Sequence, residues 1–236
     1  MPTTPSNPRP SGAVLGPLRW VKPPLQARSR KTLEKLLDAA EELIRESGAT
    51  GLTVSEVVRR AGSSVGAFYA RFPDKDGLFA TLQQRSCDEA VATAELALDP
   101  ARWESVDLGA AITEIVRFLV NISRERRGLI VAFIGLAAAD VAYADRRARV
   151  EVEIANRVLT FFRARLGEFS HSDPERAAIV TVRTLVSTLE YGAVIFRGEP
   201  NAVTLSDETL AEELARVVIA YLGIPGSGGR PKRANE

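Results

Sequence analysis

The sequence predicts an all-α protein, with a small three-helix unit near the N-terminus followed by a larger helical domain. Three observations carry the prediction. Apolar residues recur at steps of three and four along most of the 236 residues. Capping residues, glycines and prolines mark where successive runs begin and end. No Asn-Gly or Asp-Gly hairpin joins alternating strands, and no internal repeat is present.

The first helix spans about Ser29 to Glu46, with Leu33, Leu36, Leu37, Ala40, Leu43 and Ile44 on one face, and Gly48 and Gly51 stop it. Thr53-Val-Ser-Glu56 reads as a capping box that opens a helix of about two turns ending before Gly62. Ser63-Ser64 opens another short helix to about Arg71, and Asp74 caps a fourth that runs past Cys87. Further helices fall near Leu108–Arg126, Gly128–Ala139, Tyr143–Leu166, Pro174–Arg197 and Asp207–Leu222. Asp173-Pro174 is a capping carboxylate followed by proline at the first helical position, and Ser206 caps the last helix. Residues 1–27, rich in Pro, Ser and Gly, read as a flexible basic arm, and 225–236 as a flexible tail.

Hydrophobic residues make up 45% of the chain, enough for a substantial core, and the net charge is only +1. The charge is unevenly placed. Through Arg85 there are 13 Lys and Arg against 8 Asp and Glu; beyond it, 18 against 22. A basic front and an acidic rear suit a polyanion met by the front alone. A single cysteine, Cys87, excludes an intramolecular disulfide. The opening MPTTPSNPRPSG lacks the apolar core of a secretory signal. No stretch reaches the roughly 18 uncharged apolar residues of a membrane span. A cytoplasmic protein without a membrane partner is expected.

The two short helices are joined by Ala61-Gly62-Ser63-Ser64, a tight glycine-containing link. That is the helix-turn-helix unit, whose second helix enters the major groove of duplex DNA. The residue types suit the task. Val65, Gly66 and Ala67 are small and let the helix sit deep, while Ser63 and Ser64 offer hydroxyls at its start. Tyr69 can give its hydroxyl to a phosphate, and Phe68 and Phe72 face inward. No Arg or Asn precedes Arg71 to make a bidentate base contact, so methyl contacts, the basic arm and DNA shape are left to supply specificity. Arg28 and Arg30, with Arg19, Lys22 and Lys31, are candidates for minor-groove or backbone contact; a solubilising charge run is the plainer reading of them.

The stretch TVSEVVRRAGSSVGAFYARFPDKDGLF resembles the DNA-binding segment of the TetR family of repressors. Thr53, Ala61-Gly62, Ser64, Gly66, Tyr69, Phe72, Lys75 and Leu78 match that family's pattern. Ser63 departs from it where an apolar residue is usual, Val57-Val58 where Ile-Ala is usual, and Ala70 where a polar His or Tyr is common. The resemblance implies phosphate contacts from Thr53 and Lys75, base-edge contacts from Ser64, Val65 and Ala67, and a backbone contact from Tyr69. It also implies a helix-turn-helix DNA-binding domain over 28–74 and an effector-binding and dimerisation domain over 75–224.

For the rear domain, Val180, Leu185, Leu189, Leu214, Val217, Val218 and Tyr221 are the candidate homodimer interface. A twofold dimer also places two reading heads about 34–36 Å apart on one face of the duplex. Phe118, Phe133, Tyr143, Phe161, Phe162 and Tyr191 are candidates for the wall of an apolar effector pocket, although aromatics at helical spacing are more often plain core. The effector step rests on the resemblance alone. No nucleophile elbow, zinc-protease or phosphate-loop motif is present, Cys87 lacks an activating partner, and His171, the only histidine, sits in the polar loop Ser170–Asp173. The paired carboxylates Glu41-Glu42 and Glu212-Glu213 read as surface charges pointing apart. A non-enzymatic protein with no catalytic residue, metal or cofactor is expected: a repressor released from a palindromic operator by a small molecule. Two alternatives stay open, a helical DNA-binding protein without an effector and a small-molecule binder with a vestigial helix-turn-helix.

Overall fold

The computed structural model describes residues 27–195 and 205–225. The helices are α1 (Ala27–Ser47), α2 (Val54–Arg60), α3 (Val65–Tyr69), α4 (Lys75–Ala97), α5 (Leu108–Glu125), α6 (Arg127–Ala139), α7 (Val141–Arg163), α8 (Pro174–Ile195) and α9 (Asp207–Leu222). Short 3-10 turns at Ala49–Gly51, Pro100–Trp103 and Leu166–Glu168 join some of them. No strand occurs among the described residues, and the fold is all-α as the sequence predicts.

Two compact units are present. The first takes the chain as far as Ala94 and adds Ala132–Val150; the second takes Glu95–Val131 and the chain from Glu151 onward. The expected boundary at 74/75 therefore falls within the first unit, because α4 stays with the short helices for most of its length.

In the first unit, α1 buries Leu33, Leu36, Leu37, Ala40, Leu43 and Ile44, the stripe its spacing dictates. Thr53 caps α2 by accepting from the Glu56 N–H at 3.2 Å. The Glu56 carboxylate takes the Thr53 hydroxyl at 2.9 Å, where a full capping box would have it reach the backbone N–H of Thr53. Asp74 caps α4 through the Gly77 N–H at 2.8 Å. Arg85 fastens α4 to α1: its side chain is only 9% exposed and donates to Asp38 and Glu41, each at 2.7 Å. Glu41 also meets Arg45, so this carboxylate, read from sequence as surface charge, is a tertiary clamp. Further along α4, Gln83 donates to the Tyr143 carbonyl at 3.1 Å and accepts from Arg146 at 2.6 Å. Burial pushes the Cys87 thiol up to about 11, so it stays protonated and unreactive at neutral pH.

In the second unit α5, α8 and α9 pack on one another around Leu108, Ile112, Val116, Phe161, Phe162, Leu185, Leu214 and Val218. Asp107, Asp173 and Ser206 cap α5, α8 and α9 through the N–H groups of Ala110, Arg176 and Thr209. By length and composition α8 is apolar enough to cross a membrane, even though Arg183 and Glu190 interrupt it. It instead sends Ala177, Ala178, Val182, Leu185 and Leu189 into the core of this unit. Gly223 ends α9 at φ +65°, a left-handed conformation that favours glycine, and a Cβ there would also force the Ser170 hydroxyl, 2.2 Å away, to turn aside. His171 does not lie free in its loop. Its Nδ1 accepts from the Asp173 N–H at 3.1 Å, its ring lies 4.8 Å from that of Tyr221, and its backbone N–H donates to the Leu222 carbonyl.

Arg165 and Glu168 tie the entry of α5 to the turn after α7. Arg165 donates to the Trp103 and Val106 carbonyls and to Glu168, and Glu168 accepts the first N–H of α5, from Leu108, at 2.9 Å. The Arg165 hydrogen bond holds the Glu168 carboxyl below its ordinary range. A depressed folded-state value stabilises above the unfolded value, about pH 4.3 for glutamate, and that stability is lost as pH falls through the folded value. Glu168→Gln, which has no charge to titrate, is expected to be less stable than the parent at neutral pH and to lose less on acidification. Thermal melts from pH 7 down to about pH 3 across the glutamate range check this; parallel acid limbs would refute it.

Candidate nucleic-acid interface

The short helices α2 and α3 meet through a turn in which Gly62 has φ +58°, a conformation other residues rarely adopt. The Ser63 N–H reaches back to the Val58 carbonyl at 2.8 Å, closing the turn. Ser64 caps α3 by accepting the Ala67 N–H at 3.1 Å. Phe68 and Phe72 are fully buried with ring centroids 5.0 Å apart, and Tyr69 packs edge-on to Phe68 at 5.3 Å. Arg60 holds α2 on α1 through two 2.7 Å bonds to Glu46, with Glu42 at 3.6 Å. That hydrogen bonding raises the Arg60 pKa and lowers the Glu46 pKa. Sequence reasoning missed both clamps, Arg60–Glu46 and Arg85–Asp38/Glu41, because their partners are 14 and more than 40 residues away.

With Phe68 inside, the rest of the surface of α3 is left open. Between Ala27 and Ala94 the only large apolar side chains still exposed, among the described residues, are Val65 at 48% and Tyr69 at 55%, one helical turn apart. Ser64, Gly66 and Ala70 are exposed beside them, and Ser63 and Ala67 are half-buried. Gly66 has no positive φ, and a Cβ built on it meets nothing nearer than 4.0 Å. Neither conformation nor internal packing requires a glycine there, yet glycine costs a helix about 1 kcal/mol relative to alanine. Close approach of an external surface is the remaining physical reason for it. Thr53 and Lys75 are exposed at the starts of α2 and α4, as is Arg30 on α1. The Lys75 ammonium lies 5.8 Å from the centroid of the Phe79 ring. Arg28 belongs to α1, but its side chain, like residues 1–26 of the arm, lies outside the described residues. Arg71 turns back on α3, donating to the Ala67 carbonyl at 2.8 Å.

The residues expected to line a ligand wall divide between the two units. Tyr143 is buried in the first unit with its hydroxyl donating to the Asp76 carbonyl at 3.3 Å, and Phe133 is half-buried in the same unit. Phe161 and Phe162 are buried side by side in the second unit, while Phe118 and Tyr191 are exposed. The expected interface residues divide as well. Leu185, Leu189, Leu214 and Val218 are buried inside the second unit by its own helices, and Tyr221 is half-buried. Val180 and Val217 remain at the surface. Helical spacing shows which residues share a face, but not whether that face meets the chain's own core. Phe196 and the tail from 226 lie outside the described residues. Among the described residues no group of three or more His, Cys, Asp and Glu is placed to hold a metal ion.

A short exposed helix, set by a left-handed glycine turn on two supporting helices, is a DNA-reading helix-turn-helix. Comparison with known proteins agrees. Residues 36–82 match the model of bacterial regulatory proteins of the tetR family, and 107–222 match that of the tetracyclin repressor-like C-terminal domain. Together these span well over half the chain, which belongs to the TetR family of DNA-binding transcriptional regulators, proteins that are not enzymes. The uncharacterized HTH-type transcriptional regulator YvdT of Bacillus subtilis (strain 168) is 37% identical over 51 residues, which is 22% of this chain and 26% of that relative's length. Among solved structures, a TetR-family regulator from Mesorhizobium loti MAFF303099 superposes with a TM-score of 0.70 at 19% identity, covering 84% of this chain and 100% of that one. Salmonella enterica GusR gives 0.57 at 21% identity, covering 81% and 95%. Both likenesses are of fold.

Gly66→Ala is expected to leave the head folded and at least as stable, since alanine favours helix by up to about 1 kcal/mol, yet to weaken duplex binding tenfold or more. Thermal melts alongside fluorescence anisotropy with labelled duplex check the two together. Unchanged binding would mean that nothing approaches α3 at this point.

Proposed function

We propose that the protein is a homodimeric repressor that holds a palindromic operator through two copies of α3 and releases it when a small, apolar effector binds the rear domain. The observation that carries this reading is the open Val65–Tyr69 face of α3 beside Gly66, in a head whose other large apolar side chains are covered. In this reading residues 28–74, with Lys75 at the start of α4, read DNA, and the rest of 75–224 dimerises and takes the effector. Ser63, Ser64, Val65, Gly66 and Ala67 face base edges. Thr53, Tyr69, Lys75, Arg28 and Arg30 hold phosphates or the minor groove. Thr53 would trade its hydrogen bond to Glu56 for a phosphate.

Dimerisation is supported by α8 and α9, which leave Ile179, Val180 and Val217 exposed at 52%, 37% and 51% over a core built by the same helices. An effector is supported by the Thr181 hydroxyl, which is buried in the second unit without a hydrogen-bond partner. A buried unpaired hydroxyl costs about 1–3 kcal/mol, and a polar atom on an otherwise apolar ligand would relieve it. The working place of such a regulator is the cytoplasm.

Selection of duplexes from a random pool at about physiological salt tests the reading. Enrichment of an inverted repeat with half-sites about one turn apart, bound by a species of twice the 25.6 kDa chain mass, is expected. A monomer, or a pool that stays random, would overturn it.

A further inference from the structure

We infer that Val65 reads the 5-methyl group of one thymine in each half-site, so that the operator is recognised through an apolar contact at that position. The assignment rests on α3 being the DNA-reading helix. Its basis is an account of what the open face of α3 can offer a base edge. No planar donor projects from α3 itself: Arg71, just past it, is half-buried and bonded to the Ala67 carbonyl, and of the two arginines that end α2, Arg60 is clamped on Glu46 while Arg59 is exposed on α2. The Ser64 Oγ accepts the Ala67 N–H as the cap of α3, which fixes its position at the very start of the helix and leaves its own proton to donate to a phosphate or base beside Val65. Gly66 and Ala70 bring no polar side chain. What projects from the first turn is the pair of Val65 methyls.

Those methyls cannot satisfy the donors and acceptors that line most of the major groove. Covering a polar base edge with them would strip it of water and return no hydrogen bond. The thymine 5-methyl is the apolar group presented on base edges in that groove, so it is the one surface Val65 can cover at a gain. Gly66, next in the chain, leaves 4 Å of clear space where a side chain would stand, and so lets the first turn approach closely enough for methyl contact. Tyr69 lies four residues on, about 6 Å along the helix axis, with its ring braced edge-on against the buried Phe68. Its hydroxyl is then left for the sugar–phosphate backbone rather than for the same base.

The test uses the full chain and the duplex recovered by selection from a random pool. Each thymine is replaced singly by deoxyuridine, which keeps every hydrogen bond and removes only the 5-methyl, and affinity is read by anisotropy. One thymine per half-site is expected to be sensitive, with about a fourfold loss for each half-site, the worth of one buried methyl. In Val65→Ala the loss at that position is expected to vanish while the hydrogen-bonded positions keep theirs. The deoxyuridine scan on the unaltered protein is decisive even where Val65→Ala binds too weakly to measure. A duplex that binds tightly and is indifferent to deoxyuridine throughout would overturn the inference and leave the DNA-binding reading standing. Sensitivity that persists undiminished in Val65→Ala would assign the methyl contact to another residue. A pool that yields no duplex would overturn both.

Discussion

The burial of Phe68 is the constraint on which the head depends. A five-residue helix has too few hydrogen bonds to hold itself, since nucleating a helix costs more than its first turn returns. α3 is therefore held by what its side chains touch. Phe68 and Phe72, both fully buried, anchor it in the first unit, and each successive residue turns about 100° around the axis, at 3.6 residues per turn. Placing Phe68 inside turns Gly66, about 160° round the axis, outward, and sets Val65 and Tyr69, about 60° and 100° away, on the two flanks, where they stay exposed. The left-handed Gly62 sets the direction from which α3 leaves the turn, and the Ser64 cap begins it at one defined residue. Removing the Phe68 ring would cost about 3–5 kcal/mol by the usual measure of core truncation, and it would also release α3 from its orientation.

Charge pairing reinforces this arrangement. Glu46 is spent on Arg60, and Asp38 and Glu41 on Arg85, so α1 is tied to α2 on one side and to α4 on the other. These pairs also occupy carboxylates that would otherwise stand open on the head, while Arg30, Lys31 and Lys35 remain exposed on α1. The first unit is in this way a mount that fixes which side chains α3 leaves uncovered.

Most of the helices were legible from sequence because two local signals agree, apolar spacing and capping chemistry. Ser64, Asp74, Asp173 and Ser206 each sit where a cap is needed, and each accepts the backbone N–H three residues on. The head was legible beyond its helices, since Gly62, Phe68 and Phe72 have single physical roles. What escaped the sequence was contact across long separations. Glu41 and Glu42 read as solvated neighbours, and only the fold brings Arg85 and Arg60 to them. His171 read as a loop residue until Tyr221 and Leu222 met it. The rear domain shows the same limit more broadly. The spacing that placed Leu185, Leu214 and Val218 on inward faces was sound, but those faces meet their own unit's core, and the aromatics chosen for one wall belong to two units.

The central claim is that the outer face of α3 is where this regulator meets DNA. The direct measurement is amide hydrogen exchange of the full chain, alone and saturated with its selected duplex. Protection concentrated over residues 62–72 and the first turn of α4 is the predicted result. Protection confined to other parts of the chain, with α3 exchanging as freely as before, would contradict it.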